Sequence, residues 1–162
     1  MQNGLIDKLC ERLAVETGGV VLYQAVLDKL IDNDSLCSRL RRFQADEARH
    51  RDVLIEYLDK LGVPKDQRET PSARLADHEG QAYLKLIGEA ETPAQILNVL
   101  LTVELMDENA WELLVDFARD RGDEESVRIF DQCLREEKEH LIKVRGALVR
   151  MIREDLARSA EV

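Results

Sequence analysis

The chain has 162 residues, of which 44% are hydrophobic, 35% charged and only 4% aromatic, and its formal net charge is −10. This acidic balance argues against nucleic acid and against an anionic membrane surface as partners, because both are polyanions. With 8 Gly and 3 Pro against many Leu, Ala, Glu and Arg, the composition favours long helices over sheet. We expect an all-α protein in which residues 1–162 form a single domain.

The sequence shows no sign of membrane insertion or export. No apolar run approaches the roughly 20 residues that a membrane-spanning helix needs, and residues 1–7 lack a secretory signal pattern. The three cysteines, Cys10, Cys37 and Cys133, form no C-x-x-C pair, so neither a disulfide framework nor a cysteine metal site is predicted. We therefore expect a cytoplasmic protein with no membrane partner.

The first predicted helix covers about residues 5–31. Its apolar residues recur at alternating intervals of three and four, which is the spacing of one helix face, and Glu16 is the one acidic member of that stripe. Gly18 and Gly19 follow within one turn, where glycine costs roughly 1 kcal/mol relative to alanine. They either permit close packing against a neighbouring helix or open a small cavity beside Glu16.

The second predicted helix, residues 36–61, follows a polar turn at residues 32–35 and ends at Gly62. Glu47 and His50 fill two steps of its apolar stripe. A Glu and a His three residues apart project from one face of a helix, one turn apart. Side chains that carry charge or bind metals therefore lie where a helix normally presents Leu to a core.

A polar passage links the second helix to the third long one, and residues 73–88 are predicted as a shorter helix inside this crossover. His78 lies within it between two acids and is expected on the solvated surface. The third long helix covers about residues 94–119, and Glu104 and Asp107 interrupt its apolar stripe.

The fourth long helix, residues 124–157, repeats the pattern of the second with Glu137 and His140. The lone Glu of the first helix precedes Glu47 by 31 residues, and that of the third precedes Glu137 by 33, so the two halves resemble each other. Short connections within each half and a long crossover between them predict an antiparallel four-helix bundle.

Such a bundle brings side chains from four helices to a similar height in its core: Glu16, Glu47, His50, Glu104, Glu137 and His140. Four buried carboxylates cannot all stay ionised without counter-charge, because burial of each costs several kcal/mol. Two divalent cations would neutralise them and gain one imidazole each. Oxygen donors with a single nitrogen per ion suit iron or manganese better than zinc. Buried ion pairs without metal are the alternative, and the repetition of the pattern favours the metal.

An acid directly precedes the Glu of each Glu-x-x-His pair, and we predict that it orients a histidine. Asp46 and Glu136 lie one step round the helix from the stripe, where a carboxylate can accept the second N–H of a metal-bound imidazole and fix its tautomer. Our hypothesis is that Asp46 serves His140 and that Glu136 serves His50.

One Glu on each of two helices, with Glu-x-x-His on the other two, is the pattern of ferritin-like di-iron carboxylate proteins. The sequence resembles the bacterioferritin and rubrerythrin branch of this superfamily over essentially its whole length. The resemblance implies a left-handed crossover bundle with two iron ions that react with O2 or H2O2, as in a ferroxidase or peroxidase-type oxidoreductase. Manganese or a mixed Mn/Fe pair would use the same donors.

The resemblance also implies roles for single residues. Glu47 and Glu137 would bridge the two ions. Asp107 falls where rubrerythrin-like proteins carry an additional carboxylate, and it is either an occasional ligand or a group behind the ligands. Tyr23 matches a tyrosine near the site in bacterioferritin-like proteins. It is either a core aromatic, as is Trp111, or the source of an electron or a hydrogen bond.

Two other functions use the same ligands, namely iron storage or binding in a multimeric assembly without dedicated turnover, and a metal-binding module without turnover. No rubredoxin-type centre or haem is expected, because the chain has no C-x-x-C pair and no Met recognisably placed as a haem ligand. The electron donor is unknown.

Residues 20–27 and residues 96–106 are apolar on more than one helix face. The additional apolar face either covers a neighbouring helix or forms a dimer surface, and we expect a homodimer.

Overall fold

The structure is a computed structural model that describes residues 2–30 and 34–160. Within these ranges it contains helices and no strand, which confirms the all-α prediction. The five α-helices are α1 Gln2–Lys29, α2 Asp34–Lys60, α3 Pro71–Glu89, α4 Pro93–Asp120 and α5 Glu124–Ala160, and a short 3-10 helix covers Lys65–Gln67. None of the helices in the described ranges combines the length and the apolar character that crossing a bilayer requires.

All five predicted helices are present, and their ends lie within three residues of the predicted ones. Asp34 and Ser35, predicted as the end of a polar turn, instead begin α2, where an acidic side chain favours the positive end of the helix dipole. Residues 31–33, which include the rest of that turn and the predicted end of the first helix, lie outside the described residues.

Glycines in the left-handed region end two of the long helices. Gly62 follows α2 with φ 72°, and Gly122 follows α4 with φ 67°. After each glycine the next residue donates its N–H back into the last turn, from Val63 to the carbonyl of Leu58 and from Asp123 to that of Ala118, both at 3.0 Å. This is the Schellman arrangement, which satisfies helix carbonyls that would otherwise lack donors.

The first turns of α4 and α5 are capped by side chains. Thr92 accepts a hydrogen bond from the backbone N–H of Gln95, and the Gln95 side chain accepts one from the N–H of Thr92, which completes a capping box. Asp123 accepts from the backbone N–H and from the hydroxyl of Ser126, at 3.1 and 2.7 Å. These local signals explain why the helix starts could be predicted closely.

The chain divides into two compact units, Met1–Lys85 and Leu86–Val162. The first is built on the packing of α1 against α2, and the second on the packing of α4 against α5. Burial of the apolar stripes supplies most of the stability of such helix pairs. The fully buried residues include Leu9, Val26, Leu40, Leu54 and Leu58 in the first unit and Leu97, Leu100 and Trp111 in the second.

In the first unit, α1 and α2 are antiparallel. The Cys37 thiol near the start of α2 donates to the carbonyl of Leu30 at 2.9 Å, whereas Gln44, seven residues further on, donates to the carbonyl of Val20 at 2.9 Å. Contacts that advance along α2 thus move back along α1. The start of α3 is tied to the same unit, because the Ser72 hydroxyl donates to Asp7 of α1 at 2.6 Å.

In the second unit, α4 and α5 are antiparallel by the same criterion. The rings of Trp111 and Phe130 lie 5.7 Å apart between centroids, and nearer the start of α4 the Nδ1 atom of His140 lies 3.5 Å from Glu104. Each unit therefore contains a helical hairpin, α1–α2 in the first and α4–α5 in the second, and the pairing within a hairpin decides which polar residues of its two helices meet.

Candidate metal centre

Three buried ligand-type residues meet in the first hairpin, and we call them the α1–α2 cluster: Glu16 from α1 with Glu47 and His50 from α2. All three side chains are 0% exposed. One ligand atom from each lies within 4.8 Å of the others, and Nδ1 of His50 is 3.6 Å from Oε2 of Glu16. The structure therefore brings together the three residues that the sequence predicts for this half of the chain.

A buried arginine, which sequence reasoning missed, adjoins this cluster. Arg12 is only 2% exposed, and its Nε and Nη2 atoms donate to Oε1 of Glu16 at 2.8 and 2.6 Å. The two residues are four apart on α1, a spacing at which helical side chains meet. The sequence signal was present, because Arg12 lies one turn before Glu16 on the same apolar face. Both nitrogens contact one carboxylate oxygen, so the pair leaves Oε2 facing His50.

These contacts set the ionisation of Glu16. Burial raises the pKa of this carboxyl, but the Arg12 guanidinium, His50 and Glu47 outweigh that effect and lower the pKa to about 2. Glu16 is thus ionised at neutral pH although it is fully buried. A permanently anionic oxygen next to an imidazole nitrogen is a donor pair suited to a cation.

Gly19 lies against the same cluster on α1. A Cβ atom built on Gly19 would stand 2.7 Å from Oε2 of Glu47, whereas one on Gly18 would meet nothing within 4 Å. Of the two interpretations of the Gly18-Gly19 pair, close packing against a neighbouring helix is therefore confirmed for Gly19. The group that packs against Gly19 is the carboxylate of Glu47, which is a predicted metal ligand.

The second hairpin holds an equivalent set, the α4–α5 cluster: Glu104 from α4 with Glu137 and His140 from α5. The two Glu side chains are 0% exposed and the His is 1% exposed. One ligand atom from each lies within 4.8 Å of the others. Nδ1 of His140 lies 3.5 Å from Oε2 of Glu104 and 3.4 Å from Oε2 of Glu137. The structure therefore also brings together the three residues that the sequence predicts for the second half of the chain.

Two positions flanking the lone Glu differ between the hairpins. Four residues before Glu104 lies Leu100, which is 0% exposed, where the first hairpin has Arg12. Three residues after Glu104 lies Asp107, which is 1% exposed, where the first hairpin has Gly19. Asp107 is therefore a third buried acid in the second hairpin, beside Glu104 and Glu137, and its role as an additional ligand stays a prediction.

The acids expected to orient the histidines are half-buried at the edges of the clusters. Asp46 accepts a hydrogen bond from Arg49 at 2.9 Å, and Glu136 accepts one from Gln132 at 3.3 Å. The proposed pairing of Asp46 and Glu136 with histidines of the opposite hairpins stays a prediction.

The aromatic residues seven positions after each lone Glu belong to the cores. Tyr23 is 1% exposed and packs edge-on against Phe43, with ring centroids 6.4 Å apart and an interplanar angle of 78°. Trp111 is 0% exposed. His78 on α3 is exposed, which confirms the prediction that it belongs to the surface and to neither cluster.

Comparison with known protein families assigns this chain. The family model described as Rubrerythrin matches residues 8–148, which include every member of both clusters. The chain belongs to the rubrerythrin family. Its domain is thus a ferritin-like di-iron carboxylate domain, as the resemblance read from the sequence implied. No curated protein and no solved structure matches the chain.

As a rubrerythrin-family protein the chain is expected to carry a binuclear metal site, usually of iron, and its residues fit such a site. Each cluster offers two carboxylates and one imidazole, which are donors that iron and manganese accept. The spacings of 3.4 to 3.6 Å from His Nδ1 to carboxylate oxygen are longer than a strong hydrogen bond. They are close to the roughly 3.0–3.4 Å that separates two donors bound to one cation at about 2.1 Å.

Proposed function

We propose that this rubrerythrin-family chain is a di-iron oxidoreductase: the residues of its clusters bind two iron ions, which react with O2 or H2O2. The observation that carries the proposal is the repetition of a buried Glu, Glu and His set in both hairpins of a chain that belongs to a di-iron family. Structural ion pairs alone would not require two imidazoles at matching positions beside four buried carboxylates.

The charges of the clusters support the binding of two cations. Glu16, Glu47, Glu104 and Glu137 are fully buried, and such carboxylates are costly to keep ionised in a core. Arg12 offsets one of them and holds Glu16 ionised. Divalent cations would neutralise the remaining charge, so we assign binding to the four Glu residues and to His50 and His140.

The protein's own residues set what the bound ions can do. When bound, Fe(II) supplies electrons for the reduction of O2 or H2O2. The Nδ1 atoms of His50 and His140 lie 3.6 and 3.5 Å from Glu carboxylate oxygens. We assign Asp46 and Glu136 as the carboxylates that orient these histidines. All four Glu residues would hold the ions, with Glu16 fixed by Arg12; the family resemblance would make Glu47 and Glu137 the bridging ligands and Glu16 and Glu104 the terminal ones. Tyr23, buried about two helical turns after Glu16 on α1, is assigned as a source of an electron or a hydrogen bond.

The test is an anaerobic Fe(II) load of the metal-free protein followed by a pulse of O2 or of H2O2, monitored optically. We expect rapid oxidation of about two Fe(II) per chain, with the Glu137→Gln variant as the control that loses it. Oxidation no faster than that of Fe(II) in buffer would contradict the proposal. Continued uptake far beyond two irons per chain, by a particle that elutes far above a dimer, would indicate storage instead.

The proposal includes a homodimer. Val21, Leu105 and Met106 lie in the segments predicted as a dimer surface and are 52%, 53% and 38% exposed. Light scattering at micromolar concentration is expected to give twice the mass of the chain. A monomer mass would contradict this part of the proposal and leave the metal site untouched.

A further inference from the structure

The glycine at position 19 needs a physical reason. It lies in the interior of α1, is buried, and sits three residues after Glu16 on the same helix face. Its backbone φ is not positive, so no left-handed conformation demands a glycine here. Glycine in a helix interior is the least favourable residue apart from proline. The reason must therefore lie in the space beside its Cα atom.

That space is taken by the carboxylate of Glu47. A Cβ on Gly19 would stand 2.7 Å from Oε2 and 3.3 Å from Cδ of Glu47, distances that require one of the two groups to move. Gly18, the neighbouring residue of the same helix, has open space at the corresponding point, with nothing within 4 Å. Of the two adjacent glycines, only the buried Gly19 is approached by a cluster carboxylate.

The group that would move is the end of the Glu47 side chain. A carboxylate on a flexible side chain moves more readily than the backbone of a regular helix, and alanine itself favours that helix. Glu47 is 0% exposed and shares a 4.8 Å cluster with Glu16 and His50, so a displaced carboxylate has no solvent to enter. A methyl group at position 19 should therefore leave the fold intact and change the position of one ligand.

We infer that Gly19 is a positioning residue of the metal centre. By carrying no side chain, it lets Glu47 extend from α2 until its carboxylate lies against α1 beside Glu16. This inference rests on the proposed function, because it takes Glu47 as a metal ligand. The corresponding position of α4 carries the acid Asp107 instead of a glycine.

The experiment compares Gly19→Ala with Gly18→Ala, which makes the same chemical change one residue away. Metal-free wild type and both variants are titrated with Co(II), whose visible absorption reports both affinity and ligand geometry without redox chemistry. Thermal melting of the metal-free proteins is measured in parallel. We expect Gly18→Ala to bind like wild type, and Gly19→Ala to bind one or both ions about 10- to 100-fold more weakly with an altered spectrum. Both metal-free variants should melt no lower than wild type.

The outcomes separate this inference from the function on which it rests. If wild type binds no Co(II), the proposed function fails and the inference fails with it. If wild type binds two ions and Gly19→Ala matches Gly18→Ala in affinity and spectrum, only the inference is wrong. Should Gly19→Ala fail to fold, the double variant Gly19→Ala/Glu47→Ala is expected to fold, because the obstructing carboxylate is gone. A double variant that also fails to fold would overturn the inference.

Discussion

The two helical hairpins of this chain carry the same cluster in different surroundings. Each has a lone Glu on its first helix, a Glu-x-x-His on its second, and an aromatic residue seven positions after the lone Glu. The first hairpin places a buried Arg12 before the lone Glu and Gly19 after it, whereas the second places Leu100 and Asp107 at the same two positions. The common Glu and His residues are those that we assign to metal binding, and the flanking residues differ in charge and in size.

The difference makes the second hairpin more dependent on a cation. With carboxylates ionised and histidines neutral, the first cluster and Arg12 carry a formal charge of −1, and the second cluster and Asp107 carry −3. Like charges buried together disfavour the folded state unless a counter-charge is present. The first hairpin has part of its counter-charge built into α1 as Arg12, and under our proposal the second obtains it from bound metal.

The largest expected effect comes from replacing Arg12 of the first hairpin with leucine, the residue type that the second hairpin has at the equivalent position, Leu100. Arg12→Leu removes one partner of a buried ion pair and should lower the unfolding free energy of the metal-free protein by about 3–5 kcal/mol, measured by urea denaturation. Arg49→Leu is the matched control, because the Arg49 ion pair with Asp46 is largely solvated and should be worth less than about 1 kcal/mol. Equal effects of the two substitutions would show that Arg12 does not supply the counter-charge.

Metal removal should affect the hairpins unequally. At a free metal concentration of 100 times the dissociation constant, binding stabilises the folded state by about 2.7 kcal/mol. We expect hydrogen exchange of the metal-free protein to increase more in the turns of α5 around His140 than in those of α2 around His50. Equal increases would mean that Arg12 and Asp107 do not change the dependence on metal.

The smallest expected effects concern the side-chain contacts that hold the first turns of α3 and α4. Thr92→Ala breaks a neutral capping box and should cost about 1 kcal/mol at any pH. Asp7→Asn should be destabilising in a pH-dependent way, because hydrogen bonds from Ser72 and Thr70 hold the pKa of the Asp7 carboxyl below 3.8. The stability from a lowered pKa is present above the unfolded value and is lost as pH falls through the folded one.

The measurement for this pair is urea denaturation of wild type, Thr92→Ala and Asp7→Asn across a pH series. The deficit of Asp7→Asn should narrow as pH falls below 3.8, while the deficit of Thr92→Ala stays constant. A constant deficit for Asp7→Asn would show that its ionised carboxylate does not hold the start of α3.

The sequence predicted the helices and both clusters because their signals are local. Glu47 and His50 stand out as polar interruptions of a periodic apolar stripe, and caps such as Thr92 mark helix ends within a few residues. Arg12 was missed because an arginine on a helix face commonly extends its charge to solvent, and only the packing shows that it is 2% exposed. The role of Gly19 could not be chosen from sequence, since it depends on a distance between two helices.

The most direct test of the account is the metal-to-chain ratio after anaerobic loading with Fe(II) and removal of unbound metal. The account predicts two iron ions per wild-type chain, and a clear loss of iron in Glu47→Gln and in Glu137→Gln, one from each hairpin. A wild-type ratio near zero, or a ratio of two that survives both substitutions, would contradict the claim that these buried clusters bind the metal.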